Sequence, residues 1–324
     1  MAMRPHRTPV AALFGGSAPA AYTCGAVVFD GATQLGIASL TATENAFMMF
    51  SVWLLLPNAN IFTKAVFVCD PDNQYRPLFN GTFEDGKLAY TAGNAEGDVE
   101  VTYTNSPGVT AAAWHNFLGA ITLAGVPTGK LYVDDVDVGS ASDLFGSGGT
   151  VSVNGLSFYV ANDTFDAYLP AHMADLWIAP GQYLDLSVEA NRRKFISATG
   201  KPVNLGAAGA TPTGTAPAMF FHVAHAGTPS DFGTNLGTGG AFTLGGGVTQ
   251  TGALVNTSAD VVMADVTGIT VGAFITVTGV PAGTTVLSIN VLIVTMSAPA
   301  TASNAAASIK FGGVLRLAPS SPSD

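Results

Sequence analysis

From Tyr22 almost to the last residue the chain repeats one local pattern: a short run of branched, aromatic and aliphatic side chains, then a cluster of Gly, Pro, Asn, Asp or Ser. Such runs favour strands because these side chains fit a pleated, half-buried surface, and the punctuating residues favour turns. The pattern predicts strands at residues 25–29, 47–56, 63–68, 87–91, 99–104, 117–123, 130–133, 136–138, 156–160 and 173–178. So many short strands, so closely spaced, point to an all-β sandwich. One stretch departs from the pattern. Residues 183–197 carry Ser187 as a helix N-cap, Glu189 in the first turn and Arg192, Arg193 and Lys194 toward the end, which suits a helix dipole at both ends. Gly200-Lys201-Pro202 then stops it. One short helix is expected there, its basic triplet serving the helix rather than a binding surface.

Residues 206–247 are rich in Gly, Thr, Ala and Pro and read as loop with one or two returning strands. Residues 261–266, 274–278, 284–289, 291–296 and 307–311 read as a second, smaller β-unit, with Gly279-Val280-Pro281-Ala282-Gly283 as its strongest turn. The expected organisation is a flexible arm at 1–20, a sandwich at 21–247, a small inserted β-domain at 248–313, and a last strand with a polar tail at 314–324. The Pro-rich ending cannot extend a sheet ladder.

Residues 47–56 are apolar on both faces of the predicted strand. One face can fill a sandwich core, and the other must be covered too, by another segment of the same chain or by a neighbouring subunit. Phe47, Met49 and Trp53 are candidate contacts on the second alternative. Arg4 and Arg7, in an opening segment without periodicity, are candidate docking charges for the acidic surface of a neighbour.

Charged residues make up 10% of the chain, well below the usual share of about 25%. A surface so poor in charge suits packed assemblies, because little repulsion holds copies apart. A formal net charge of −10 argues against nucleic acid as a partner, since that grip needs clustered Lys and Arg. The longest apolar run, 46–56, is shorter than the ~20 residues a bilayer span requires, and the weak apolar patch at 10–14 makes a poor signal-peptide core. Neither a membrane partner nor export by a signal sequence is expected. Cys24 and Cys69 are too few for a disulfide framework and lack metal-ligand spacing, so buried thiols are expected.

Three stretches, in order, resemble the laminin-G-like domain as it occurs in phage and bacterial surface proteins: Phe50-Ser51-Val52-Trp53-Leu54; Trp114-His115-Asn116-Phe117 followed by Lys130-Leu131-Tyr132-Val133-Asp134-Asp135-Val136; and Met173-Ala174-Asp175-Leu176-Trp177-Ile178 with the helix after it. The hairpin departs from the pattern, with Asp135 where glycine is usual. Gly200-Lys201-Pro202-Val203-Asn204-Leu205-Gly206 and the Gly-rich stretch 235–243 resemble the tails of phage structural proteins of this sandwich type, and 268–296 resembles a β-repeat of tail and adhesin proteins. The resemblance implies a concanavalin A/laminin-G-like jelly roll. It further implies a non-enzymatic bacteriophage virion protein, a head decoration, fibre or tail-associated module made in the host cytoplasm, with other capsid or tail proteins and further copies of itself as partners. A carbohydrate-binding, lectin-like module for host surface glycans is the alternative, and a retaining glycoside hydrolase the third reading.

Some laminin-G-like domains bind sugar through calcium at one rim. Candidate oxygens here are Asp134, Asp135 and Asp137 in the hairpin and Asn162, Asp163 and Asp166 beyond it, since calcium takes six to eight oxygens; turn-forming Asp and Asn give the same pattern without a metal. Glu96, Asp98 and Glu100 stand at the period-two spacing that would put all three carboxylates on one strand face, and retaining chemistry needs two carboxyl groups about 5–5.5 Å apart. Gly97 within that run and the absence of a nearby Trp favour a solvated strand end. His222 and His225 lack a metal pattern, and no nucleophile elbow or phosphate loop occurs. No catalytic residue and no cofactor other than calcium is expected.

Overall fold

The computed structural model describes residues 22–57, 64–70, 79–84, 87–94, 97–103, 110, 112–144, 149–162 and 169–324. The first layer-forming strands are β1 (Val27–Asp30), β2 (Thr33–Ile37), β3 (Phe47–Leu55), β4 (Lys64–Asp70), β5 (Phe79–Glu84), β6 (Lys87–Asn94) and β7 (Gly97–Tyr103). They are followed by β8 (Trp114–Thr122), β9 (Thr128–Val133), β10 (Val136–Leu144), β11 (Ser157–Val160) and β12 (Pro170–Pro180). Then come α1 (Glu189–Arg192), β13 (Met219–Phe221), α2 (Pro229–Phe232) and β14 (Thr243–Gly246). The remainder is β15 (Val248–Leu254), β16 (Asp260–Met263), β17 (Ile275–Thr276), β18 (Val286–Asn290), β19 (Ile293–Met296), β20 (Asn304–Phe311) and β21 (Arg316–Leu317).

The chain is all-β, a jelly-roll sandwich with a smaller sheet attached. One continuous antiparallel ladder runs β14-β2-β11-β4-β5-β6-β7-β10-β9-β8-β3-β12-β1-β21, with β13 added on β12. Neighbours such as β2 and β11, or β3 and β12, lie far apart in sequence, so the chain crosses repeatedly between layers. The ladder folds so that Leu35, Phe67, Tyr90, Phe158 and Val160 share one core with Phe50, Phe117, Leu131, Met173 and Ile178. Phe50 sits at its centre, edge-on to Phe67 and Tyr90 at centroid distances of 5.1 and 4.9 Å. Gly119, its cross-strand partner on β8, leaves room for that ring: a Cβ there would lie 2.2 Å from it.

The double apolar character of β3 has an intramolecular explanation. Met48, Phe50, Val52 and Leu54 face the main core. On the opposite face Met49 packs with Trp177, Leu186, Phe195, Leu205 and Phe220, and Trp53 packs with Cys24, Ala26, Ala174 and Ile196. Met49 and Trp53 are buried by these neighbours and are therefore not available as subunit contacts, a correction to the second alternative above. Phe47, at the strand end, is half-buried and lies 5.4 Å from the Tyr183 ring. Arg4 and Arg7 lie outside the described residues. Cys24 and Cys69 are both buried, in separate apolar clusters, and no disulfide joins them.

The expected helix is a single turn. Ser187 does not cap it: its hydroxyl and its backbone N–H both donate to Asp185 Oδ1 (2.6 and 2.9 Å), and Val188 takes the N-cap position without a side-chain bond. Asp185 sits two residues ahead and offers a charged acceptor, so Ser187 closes a turn instead. The fold holds a second helical turn, α2, where one was expected overall; Pro229 at its first position and Asp231 Oδ2 accepting from Thr228 N (2.7 Å) account for it. Thr228-Pro229-Ser230-Asp231 was the signal that announced it.

The smaller sheet has the order β17-β20-β15-β16-β19-β18. The chain enters it at Gly247 and leaves it at Gly312-Gly313, all with positive φ, and a Cβ on Gly247 would meet Phe311 O at 2.4 Å. Only glycines allow the two crossings to run side by side. Asp30 holds the two sheets together, its buried carboxylate accepting from Ala32 N (3.0 Å) and from Phe274 N (2.9 Å), while the Arg316 guanidinium lies 4.8 Å from the Phe274 ring. The polar ending packs rather than trailing free. Ala318 N donates to Ala26 O, Trp114 Nε1 to Ser320 Oγ and Cys24 N to Ser323 Oγ, and Ser321 is buried.

Candidate functional site

The acidic hairpin β9–β10 was the foremost site candidate. Val133 and Val136 pair across a two-residue turn whose central residues, Asp134 and Asp135, have φ of 48° and 69°. A type I′ connection requires both to be positive, and Asp enters the left-handed region more readily than most residues, so Asp135 replaces glycine without opening the turn. Each hairpin carboxylate has its own partner. Asp134 Oδ2 meets His115 Nδ1 at 2.6 Å and its Oδ1 accepts from Asn116 N at 2.8 Å. Asp137 meets Lys130 Nζ at 2.8 Å. Asp135 takes Arg192 Nε at 2.5 Å and Arg193 Nη2 at 2.6 Å, while the Arg192 guanidinium also covers the Tyr132 ring and donates to Leu186 O. The arginines thus tie the segment after β12 onto the hairpin, and Lys194 donates to Pro212 O. Serving the helix alone was the wrong reading of the triplet: a one-turn helix has little dipole to complement, whereas a carboxylate gives a guanidinium charge-assisted bonds.

Electrostatics follow the pairing. The hydrogen bond to Asp134 raises the His115 imidazole above its ordinary value, and that to Asp137 raises the Lys130 ammonium. Burial pushes the Asp135 carboxyl up, but the hydrogen bonds and charges of Arg192 and Arg193 outweigh it and hold it below the usual carboxylate range. Calcium at this hairpin would have to displace His115, Lys130 and both guanidinium groups. Asn162 donates to Gln34 Oε1 at 2.5 Å, and its buried Oδ1 has no partner among the described residues. Asp163, Asp166 and Glu96 lie outside the described residues, as do the side chains of Asp98 and Glu100 on β7. Among the described residues no three His, Cys, Asp or Glu side chains are placed to share a metal, and no helix is long and apolar enough to cross a membrane.

Sequence reasoning missed a buried polar centre on the outer face of β12. Asp175 lies where the β12–β3 register shifts, with φ of 46° and its side chain buried. Its Oδ1 meets His222 Nδ1 at 2.7 Å and its Oδ2 accepts from Tyr22 Oη at 3.2 Å. His222 stacks between Phe220 and Tyr22, at 5.8 and 6.0 Å. Burial, then the Asp175 charge, pushes both the Tyr22 phenol and the nearby Cys24 thiol far up. Cys24 is consequently a thiol, not a nucleophilic thiolate. The available signal was a lone carboxylate within the apolar run 173–178.

The surface of the smaller sheet differs from the rest. Between Asp265 and Lys310 there is no Asp, Glu, Lys, Arg or His. Val262, Leu287, Val291, Leu292 and Ile293, all on or beside the β18–β19 hairpin, are between 41% and 82% exposed. Val262 and Ile293 are cross-strand partners pointing away from a core made by Val261, Val286, Val294 and Met296.

No protein-family model matches the chain, and no curated protein matches it. Among solved structures it is similar to a SAP-like pentraxin from Limulus polyphemus, at 14% identity and a TM-score of 0.40 over 50% of this chain and 78% of the other. It is also similar to the LG4-5 domains of the mouse laminin alpha1 chain, at 11% and 0.39 over 90% and 82%. The binding domain of botulinum neurotoxin serotype G is a third, at 9% and 0.35 over 52% and 45%. Identities and TM-scores this low assign the chain neither a family nor an activity.

Proposed function

We propose that the chain is a non-enzymatic structural protein of a bacteriophage virion, a head decoration, fibre or tail-associated module that assembles with copies of itself and with other capsid or tail proteins. One observation carries the reading: a charge-free, apolar hairpin surface stands on a small sheet that is hydrogen-bonded to a sandwich whose hairpin carboxylates are all engaged internally. Exposed apolar patches on a soluble chain mark contact surfaces, and a sandwich braced in this way is a support for one. The sequence resemblance to phage surface and tail proteins supplies the particle. Host-glycan recognition through calcium, the second reading, would need the hairpin rim open, and its carboxylates are already paired with His115, Lys130, Arg192 and Arg193. Mass spectrometry of purified phage particles tests the proposal. The protein is expected at stoichiometric abundance among the virion proteins, and its absence from particles refutes the reading.

A further inference from the structure

We propose that the β18–β19 hairpin of the smaller sheet is the surface on which a second copy of this chain docks, in a two-fold contact between identical hairpins. The inference deepens the assembly reading above and rests on it for the nature of the partner.

Three features converge on this hairpin. β18 is the last strand of its sheet; Val286 at its start exchanges backbone hydrogen bonds with Gly272 and Ala273, and from Leu287 to Asn290 its outer row has no ladder partner among the described residues. Edge strands that must stay single are normally guarded by charges, proline or a covering loop; residues 285–296 contain neither a charge nor a proline.

The turn itself is unusual. Asn290 pairs with Ile293, leaving Val291 and Leu292 as the two turn residues, and Val291 has φ of 55°. A tight hairpin ordinarily places Asn, Asp or Gly in the left-handed region, and a branched side chain is strained there. Turn formation alone does not favour valine. An apolar tip, 82% exposed at Val291, is what this choice produces.

Charge selects the occupant. Two copies with a formal net charge of −10 each repel over most of their surfaces, and the 285–296 hairpin itself adds no charge to that repulsion. On the same face, Asp260 accepts a hydrogen bond from Thr295 Oγ1 at 2.8 Å. The area is adequate. At their observed exposures the five apolar side chains offer roughly 500 Å² per copy, about 1,000 Å² in a symmetric pair, which reaches the lower bound for a specific interface. A two-fold arrangement uses the same patch twice and closes.

Sedimentation velocity over a concentration series tests the contact, using the full chain, Ile293→Lys, Leu287→Lys and the control Val126→Lys, which adds the same charge at an exposed site on the β8–β9 loop. The expected result is a dimer that either hairpin substitution weakens tenfold or more and the control leaves unchanged. Hydrogen exchange at residues 286–293 should slow as concentration rises. Circular dichroism shows whether each variant keeps its strand signal. A wild-type chain that stays monomeric, a dimer indifferent to both hairpin substitutions, or one weakened equally by Val126→Lys would each overturn the inference. Presence in particles is a separate measurement, so a monomeric virion protein would refute this contact and leave the proposed function standing.

Discussion

Replacing Asp175 by alanine tests whether the buried polar centre on β12 is a structural element. The substitution removes the acceptor shared by Tyr22 Oη and His222 Nδ1. A buried donor left without a partner costs about 1–3 kcal/mol, and the lower end applies because Tyr22 and His222 retain some contact with solvent. Alanine is also less suited than Asp to φ of 46°, which adds about 1 kcal/mol. The sum is a loss of about 3–4 kcal/mol, or roughly 6–12 °C in Tm at the 2–3 °C per kcal/mol of a large domain. Asp175→Asn keeps the backbone preference and one acceptor oxygen and should cost about 1–2 kcal/mol by losing only charge-assisted bonding. Urea denaturation of both variants, alone and combined with His222→Phe, gives the comparison. The Asp175→Ala and His222→Phe effects should fall short of additivity by about 1 kcal/mol or more, as for residues in one network. An Asp175→Ala protein within about 1 kcal/mol of wild type, or one no worse than Asp175→Asn, would refute the reasoning.

Gly119→Ala should destabilise by about 1–3 kcal/mol in urea melts, because a methyl group would push the Phe50 ring out of its contacts with Phe67 and Tyr90. Asp135→Gly should lower Tm even though glycine suits φ of 69°, since Arg192 and Arg193 lose their shared acceptor; a rise in Tm would show that turn geometry outweighs the clamp. The His115–Asp134 pair makes stability pH-dependent. With the folded imidazole raised above its ordinary 6.5, its contribution is complete below that value and is lost as pH rises through the folded value, and His115→Gln should remove that part of a Tm-versus-pH profile. Asp135 acts in the opposite direction: its contribution is complete above the ordinary 3.8 and is lost as pH falls through the lowered folded value, which Asp135→Asn should abolish in acid-denaturation curves.

What the amino-acid sequence determined by itself is local. Branched and aromatic runs between turn clusters specify strands, and enough of them specify a sandwich. The nearly unbroken apolar run 47–56 shows that both faces of one strand are apolar. Tertiary structure alone decided what each face meets. Met49 and Trp53 are covered by segments well over a hundred residues onward in part, Asp175 joins Tyr22 across 153 positions, and Cys24 meets Ser323 across 299. The basic triplet was visible, but its carboxylate partner, 57 positions back for Arg192, was not. A short-range pattern states which side chains need burial or a counter-charge, since hydrophobicity and charge belong to the residue. It does not state which distant residue supplies them, because that choice is made by sheet order and layer crossing, and those arise only when the whole chain packs.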